Sequence, residues 1–132
     1  MAMSLSQYKS RIPRISLIVL VGFYLFAGFN HFRDPDFYYP LIPPYFQYIY
    51  EINVISGLME VLLALGLSFK KTRRLSAYGI ILMLLAFVPA HIYFIQEGGC
   101  MSEGLCVPAW VAWVRLVIIH PILIFWVWKH RK

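Results

Sequence analysis

Four runs of about 20 apolar residues, each nearly free of charge, constrain this chain more than any other feature of it. They extend from about Pro13 to Phe32, Ile49 to Phe69, Leu75 to Ile95 and Trp110 to Trp128. At about 1.5 Å of rise per residue, each gives about 30 Å of helix, enough to cross the hydrocarbon core. Four strands cannot close a barrel in lipid, so each run is expected to be a helix. The expected architecture is all-α: a polytopic four-helix membrane bundle forming a single domain over residues 1–132. Composition agrees, since 61% of residues are hydrophobic and 14% charged. A soluble chain this short has no core large enough to hide that much apolar surface.

The net charge of +6 brings nucleic acid to mind, but the basic residues do not spread along a face. Lys9, Arg11, Arg14, Lys70, Lys71, Arg73, Arg74, Lys129, Arg131 and Lys132 fall in clusters at the ends of apolar runs. These ten of the twelve basic residues lie on one side of the expected bundle, with no carboxylate among them. The opposite loops hold Asp34, Asp36, Glu97 and Glu103 against Arg33. The positive-inside rule then predicts cytoplasmic termini (N-in, C-in) in a bacterial inner membrane, and a lipid partner rather than a nucleic acid. The first run follows a basic start without a small-residue cleavage site, and is expected to be a retained signal-anchor helix. Between the first two helices, Pro35, Pro40, Pro43 and Pro44 forbid a continuous helix. That segment, rich in tyrosine, is expected to lie as an amphipathic cap on the outer face.

Ionisable residues inside spans are costly and are functional candidates by default. Counting helix rise places Glu60 and His120 in the middle of the second and fourth helices, at one depth where they could pair. His91 and Arg115 fall about one turn below the outer surface. His31 and Glu51 fall at outer helix ends, beside Asn30 and Asn53. Together the six describe a polar pocket open to the outer face, with Glu51 and Arg115 expected as an ion pair on its wall. A proton path, a site for a quinone or lipid head group, and a metal site all fit such a set. Metal is the weakest, because His31, His91 and His120 come from three helices with no short ligand spacing. Structural pairing between helices explains the same residues without any ligand.

Cys100 and Cys106 lie in the loop expected outside, where thiols meet an oxidising environment and a disulfide is the expected state. Gly98, Gly99 and Gly104 supply a flexible ring around them. The spacing Cys-x5-Cys is not that of thiol oxidoreductases, so a structural staple is the plainer reading. Nothing resembling a flavin, haem or nucleotide motif is present in the sequence.

Several of these segments carry a resemblance. Gly28-Phe29-Asn30-His31-Phe32, Pro35 and Pro43-Pro44 resemble the first helix and loop of the DoxX-like membrane proteins. So do Ser56-Gly57-Leu58-Met59-Glu60, the stretch from Lys70 to Leu75, Pro89-Ala90-His91-Ile92-Tyr93 and Trp113-Val114-Arg115. The likeness runs from about Gly22 to Trp128. That family often carries asparagine where this chain has His91, and glutamine near the position of His120. The resemblance implies a membrane accessory role in redox or thiol-stress systems, as in a small subunit of a thiosulfate:quinone oxidoreductase. Redox or stress-response proteins would then be partners, and a quinone or lipid the ligand. The competing expectation is a non-enzymatic scaffold that binds another membrane protein. A transporter is a third, and without an inverted repeat it would require a homo-oligomer.

Overall fold

The structure, a computed structural model, describes residues 4–132; residues 1–3 of the expected domain and the side chains of Ser6, Tyr8, Lys9, Ser10 and Ile12 lie outside it. Four apolar helical spans, Pro13–Arg33, Ile49–Ser68, Lys70–Gln96 and Ala109–Lys129, are long enough to cross a membrane. They are arranged as an all-α bundle in chain order. Helix α1 (Leu5–Arg33) begins on a capping box in which Ser4 and Gln7 bond reciprocally. A cap follows, made of α2 (Pro35–Tyr38) and a 3-10 turn (Tyr39–Leu41). The second span is α3 (Ile49–Ser68). The third is split into α4 (Lys70–Ala86) and α5 (Val88–Gln96). The fourth comprises α6 (Ala109–Val114), a π-helical turn (Arg115–Ile119) and α7 (His120–Lys129).

One boundary differs from the sequence expectation. Lys70 to Arg74 were expected to form a turn, yet they make the first turn of α4. Cations at a helix N-terminus oppose its dipole, so something must offset the cost. The end of α3 supplies it. Arg73 donates to the Leu67 carbonyl at 2.8 Å and the Ser68 carbonyl at 3.4 Å, and Thr72 donates to that of Gly66 at 2.7 Å. Thr72 and Arg73 therefore satisfy carbonyls at the end of one helix while starting the next.

Small residues draw the helices together, as lipid-embedded bundles require. Gly28 on α1 faces Gly57 on α3, and Gly66 on α3 abuts Ser76 on α4. The apolar core sits toward the basic end of the bundle, around Leu20, Leu67, Ile80 and Val127. Ser16 ties the first and fourth spans there, accepting from Trp126 Nε1 at 2.9 Å and meeting His130 Nε2 at 2.8 Å. Burial, with Arg73 and Lys129 nearby, holds the His130 imidazolium below its ordinary pKa. A second, smaller cluster of Phe94, Met101 and Ala112 lies at the other end and packs against Leu41 of the cap. A disulfide joins Cys100 to Cys106 beside it.

Two proline effects shape the upper half. Pro89 cannot donate to the Leu85 carbonyl, and the third span breaks at Phe87. Pro121 likewise cannot donate to the Val117 carbonyl, and the preceding turn widens into π geometry, with the His120 N–H bonded to the Arg115 carbonyl. Above the break, α3 and α5 separate, and the cap fills the opening from above.

Candidate functional site

A cavity of about 400 Å³ occupies that opening. Its walls are mostly apolar and aromatic, including Phe37, Phe46, Phe87 and Phe94, with Ile42 and Pro43 of the cap segment above. Its polar lining is His31, Tyr38, Asn53, Ser56, Glu60, His91 and Arg115. A second cavity of about 260 Å³ lies between α1 and the fourth span, lined by Tyr24, Glu60, His91, Arg115 and His120 among others. Ala27, Glu60, His91 and Arg115 border both. The two spaces thus meet at one polar wall built from all four spans.

The tightest part of this wall joins α1 to α3. Asn53 Nδ2 donates to the His31 carbonyl at 3.0 Å, which fixes the amide so that its Oδ1 faces His31 Nδ1 at 2.7 Å. With that oxygen as acceptor, Nδ1 carries the proton. His31 Nε2 then faces Glu60 Oε2 at 3.4 Å. Tyr38 stacks on the His31 ring with centroids 3.7 Å apart. Its hydroxyl accepts from Asn30 Nδ2 at 3.0 Å, and burial, the strongest influence on it, lifts the phenol above its ordinary pKa.

The fourth span contributes two groups. Arg115 lies over the Phe94 ring at 5.2 Å. His120 donates from Nε2 to the Leu84 carbonyl and meets His91 edge-on at 4.8 Å. No group of three metal-ligating side chains forms among the described residues.

Of the six sequence candidates, His31, Glu60, His91 and Arg115 line the larger cavity and His120 the smaller. Two expected pairings are absent. Glu60 stands with His31 rather than His120, which is bonded to Leu84 instead. Glu51 makes no ion pair with Arg115; it is exposed in the first turn of α3 and lines neither cavity. A carboxylate there complements the unpaired N–H groups of the helix start. Asn53, Tyr38 and Tyr24 are site residues that sequence reasoning left out. Asn53 was visible in principle, because Asn53, Gly57, Glu60, Ala64 and Leu67 recur at helical spacing and form the buried stripe of α3.

The sequence profile of one family, a domain of unknown function (DUF8561), matches residues 20–131, more than four-fifths of the chain. The chain belongs to that family. The DUF8561 match takes in every residue of the polar wall. No curated protein and no solved structure matches the chain.

Proposed function

We propose that this protein is an accessory component of a membrane redox or thiol-stress system, and that its polar wall receives the head group of a quinone-type ligand. One observation carries the reading. Glu60, His91 and Arg115 come from three different spans to border two adjoining cavities. Gluing of helices accounts for His31 with Asn53 and for His120 with Leu84, since those bonds close within the bundle. It does not account for Arg115, whose buried Nη1 has no hydrogen-bond partner among the described residues, and it leaves Glu60 Oε2 only the ion-pair contact with His31 at 3.4 Å.

The chemistry suits a ring that carries oxygens. Phe37, Phe46 and Phe94 offer flat apolar surface. Arg115 can donate to a ring oxygen, and Glu60 with His31 can hold or release one proton beside it. A quinone would supply the electron chemistry, for which the chain itself offers only the Cys100–Cys106 disulfide. The likeness of the segments around His31, Glu60 and Arg115 to DoxX-like proteins supports the same assignment. The basic end of the bundle is taken as cytoplasmic, in a bacterial inner membrane, with the cap and the cysteine loop outside.

Calorimetric titration of the detergent-solubilised protein with decylubiquinone tests this. Loss of a hydrogen bond to a charged group weakens binding about tenfold or more. Arg115→Gln and Glu60→Gln are each expected to do so with the helical content unchanged. The scaffold reading draws on the reciprocal His31–Asn53 bond, which locks α1 to α3. Under it, Glu60→Gln lowers the melting temperature, no quinone binds, and a stoichiometric protein partner co-purifies from the membrane.

A further inference from the structure

Three buried side-chain atoms lack a hydrogen-bond partner among the described residues: Tyr24 Oη, Arg115 Nη1 and Glu60 Oε2, the last with only the His31 Nε2 ion-pair contact at 3.4 Å. All three residues line the smaller cavity, whereas Tyr24 is missing from the larger. A buried donor or acceptor left unmade is costly, and three on one small space call for a polar group between them. Arg115 donates, Glu60 accepts when ionised, and the tyrosine hydroxyl does either. A ring carrying acceptor oxygens, which become hydroxyls in its reduced form, matches this set. The Glu60 carboxylate disfavours a multiply charged head such as a phosphate.

The position of this cavity says where such a molecule comes from. Helix α1 packs along α3, α3 along α4 and α4 along α7, whereas the first and fourth spans meet chiefly at the apolar core toward the basic end. They are tied at Ser16, near the basic end, and the smaller cavity lies between them above that tie. Its rim is Phe23 and Ile119, each close to half exposed, with Leu123 beside them. In a bilayer this rim faces hydrocarbon. On the other side the cap stands over the larger cavity, with Leu41 packed against Phe94 and Met101 and Pro40 close to Gly104 of the cysteine loop.

We infer that the ligand is a single-tailed amphiphile that enters sideways from the bilayer, through the gap between α1 and the fourth span. Its head group reaches Tyr24, Glu60 and Arg115, and its tail stays along Phe23, Ile119 and Leu123. The inference rests on the quinone-type reading of the polar wall and adds the phase from which the ligand arrives.

The probe is a benzoquinone with a decyl tail that bears a diazirine. It is photolysed on the full chain in nanodiscs, with and without excess unlabelled decylbenzoquinone. Competable label on Phe23, Ile119 and Leu123 is the expected result. Competable label on Ile52, Phe46 or Ser56 instead would place entry on the larger cavity's side and overturn the lateral gap, while leaving the quinone reading intact. If no label is competed away anywhere, both fail. A second measurement uses Leu123→Trp, which fills the gap. It is expected to weaken decylbenzoquinone binding about tenfold, with the lipid-facing Ile55→Trp as an unaffected control. Unchanged affinity in a folded Leu123→Trp protein also overturns the route.

Discussion

A Cβ built on Gly57 would stand 2.7 Å from His31 Cβ and 2.9 Å from the Phe32 ring, and one built on Gly28 would stand 2.8 Å from the Gly57 carbonyl oxygen. Nothing so close occurs at Gly22 of the same helix, where a methyl group meets open space. The pair therefore sets the distance between α1 and α3, and with it the approach of His31 to Asn53 and Glu60. Gly57→Ala must push the helices apart, and overpacking of this kind costs about 1–3 kcal/mol. It should lower thermal stability and weaken ligand binding together, while Gly22→Ala leaves both unchanged or slightly improves stability. Equal behaviour of the two variants in a melting and titration series would show that the close approach does not matter. The same contact explains what the sequence could not say about single residues. Glu60 was legible because a carboxylate stood alone in an apolar run. Its partner was not, because a depth count assumes that neighbouring helices end level. They do not: His31, near the end of α1, stands beside Gly57, well inside α3.

At the scale of elements, the four spans were legible because apolar length alone decides them, and Pro89 marked the kink in the third. Rotation was not legible. The widened turn Arg115–Ile119 changes the angle between Arg115 and His120 from that of a regular helix, and no periodicity announces it. The cysteine loop was legible in pairing, but its task emerges only from its neighbours. Gly98 and Gly99 adopt positive φ angles of 72° and 81°, conformations that favour glycine, and so let the chain turn sharply out of α5. Met101 and Leu105 then pack toward Phe94 and the cap residue Leu41. Both cysteines are exposed, so a thiol buffer reaches them. A bond that pins a cap is expected to resist reduction. Titration against a dithiol buffer, with free thiols counted by maleimide mass shift, should give a potential below about −300 mV, as structural disulfides do. A value near −200 mV would put the loop among working disulfides and move the electron chemistry from the ligand to the protein.

For the molecule as a whole, polarity is divided end to end. The polar wall and both cavities lie toward the cap, while Leu20, Leu67, Ile80 and Val127, all fully buried, close the bundle beneath them. Below that seal the side chains turn basic and exposed: Arg11, Arg14, Lys70, Lys71 and Arg74 stand at the same end as Lys129 and Lys132. The charge division was plain in the sequence. The seal was not, because its residues come singly from four spans and look like any other lipid-facing leucine or valine. It bears on the class of function. A transporter or channel needs a polar route that can open to each face in turn, and helices in lipid tolerate irregular or polar stretches only where protein or a water-filled cavity surrounds them. Here the polar wall reaches only part of the way, and Leu20, Leu67, Ile80 and Val127 pack closely beneath it. Exchange of protons or ligand is therefore expected from the cap side and the bilayer alone. Vesicles reconstituted with the protein and loaded with a pH-sensitive dye should hold an imposed proton gradient as long as protein-free vesicles do. A faster decay that disappears in the Glu60→Gln variant would mean that protons cross the seal, and the chain would have to be regarded as a conductor rather than a binding protein.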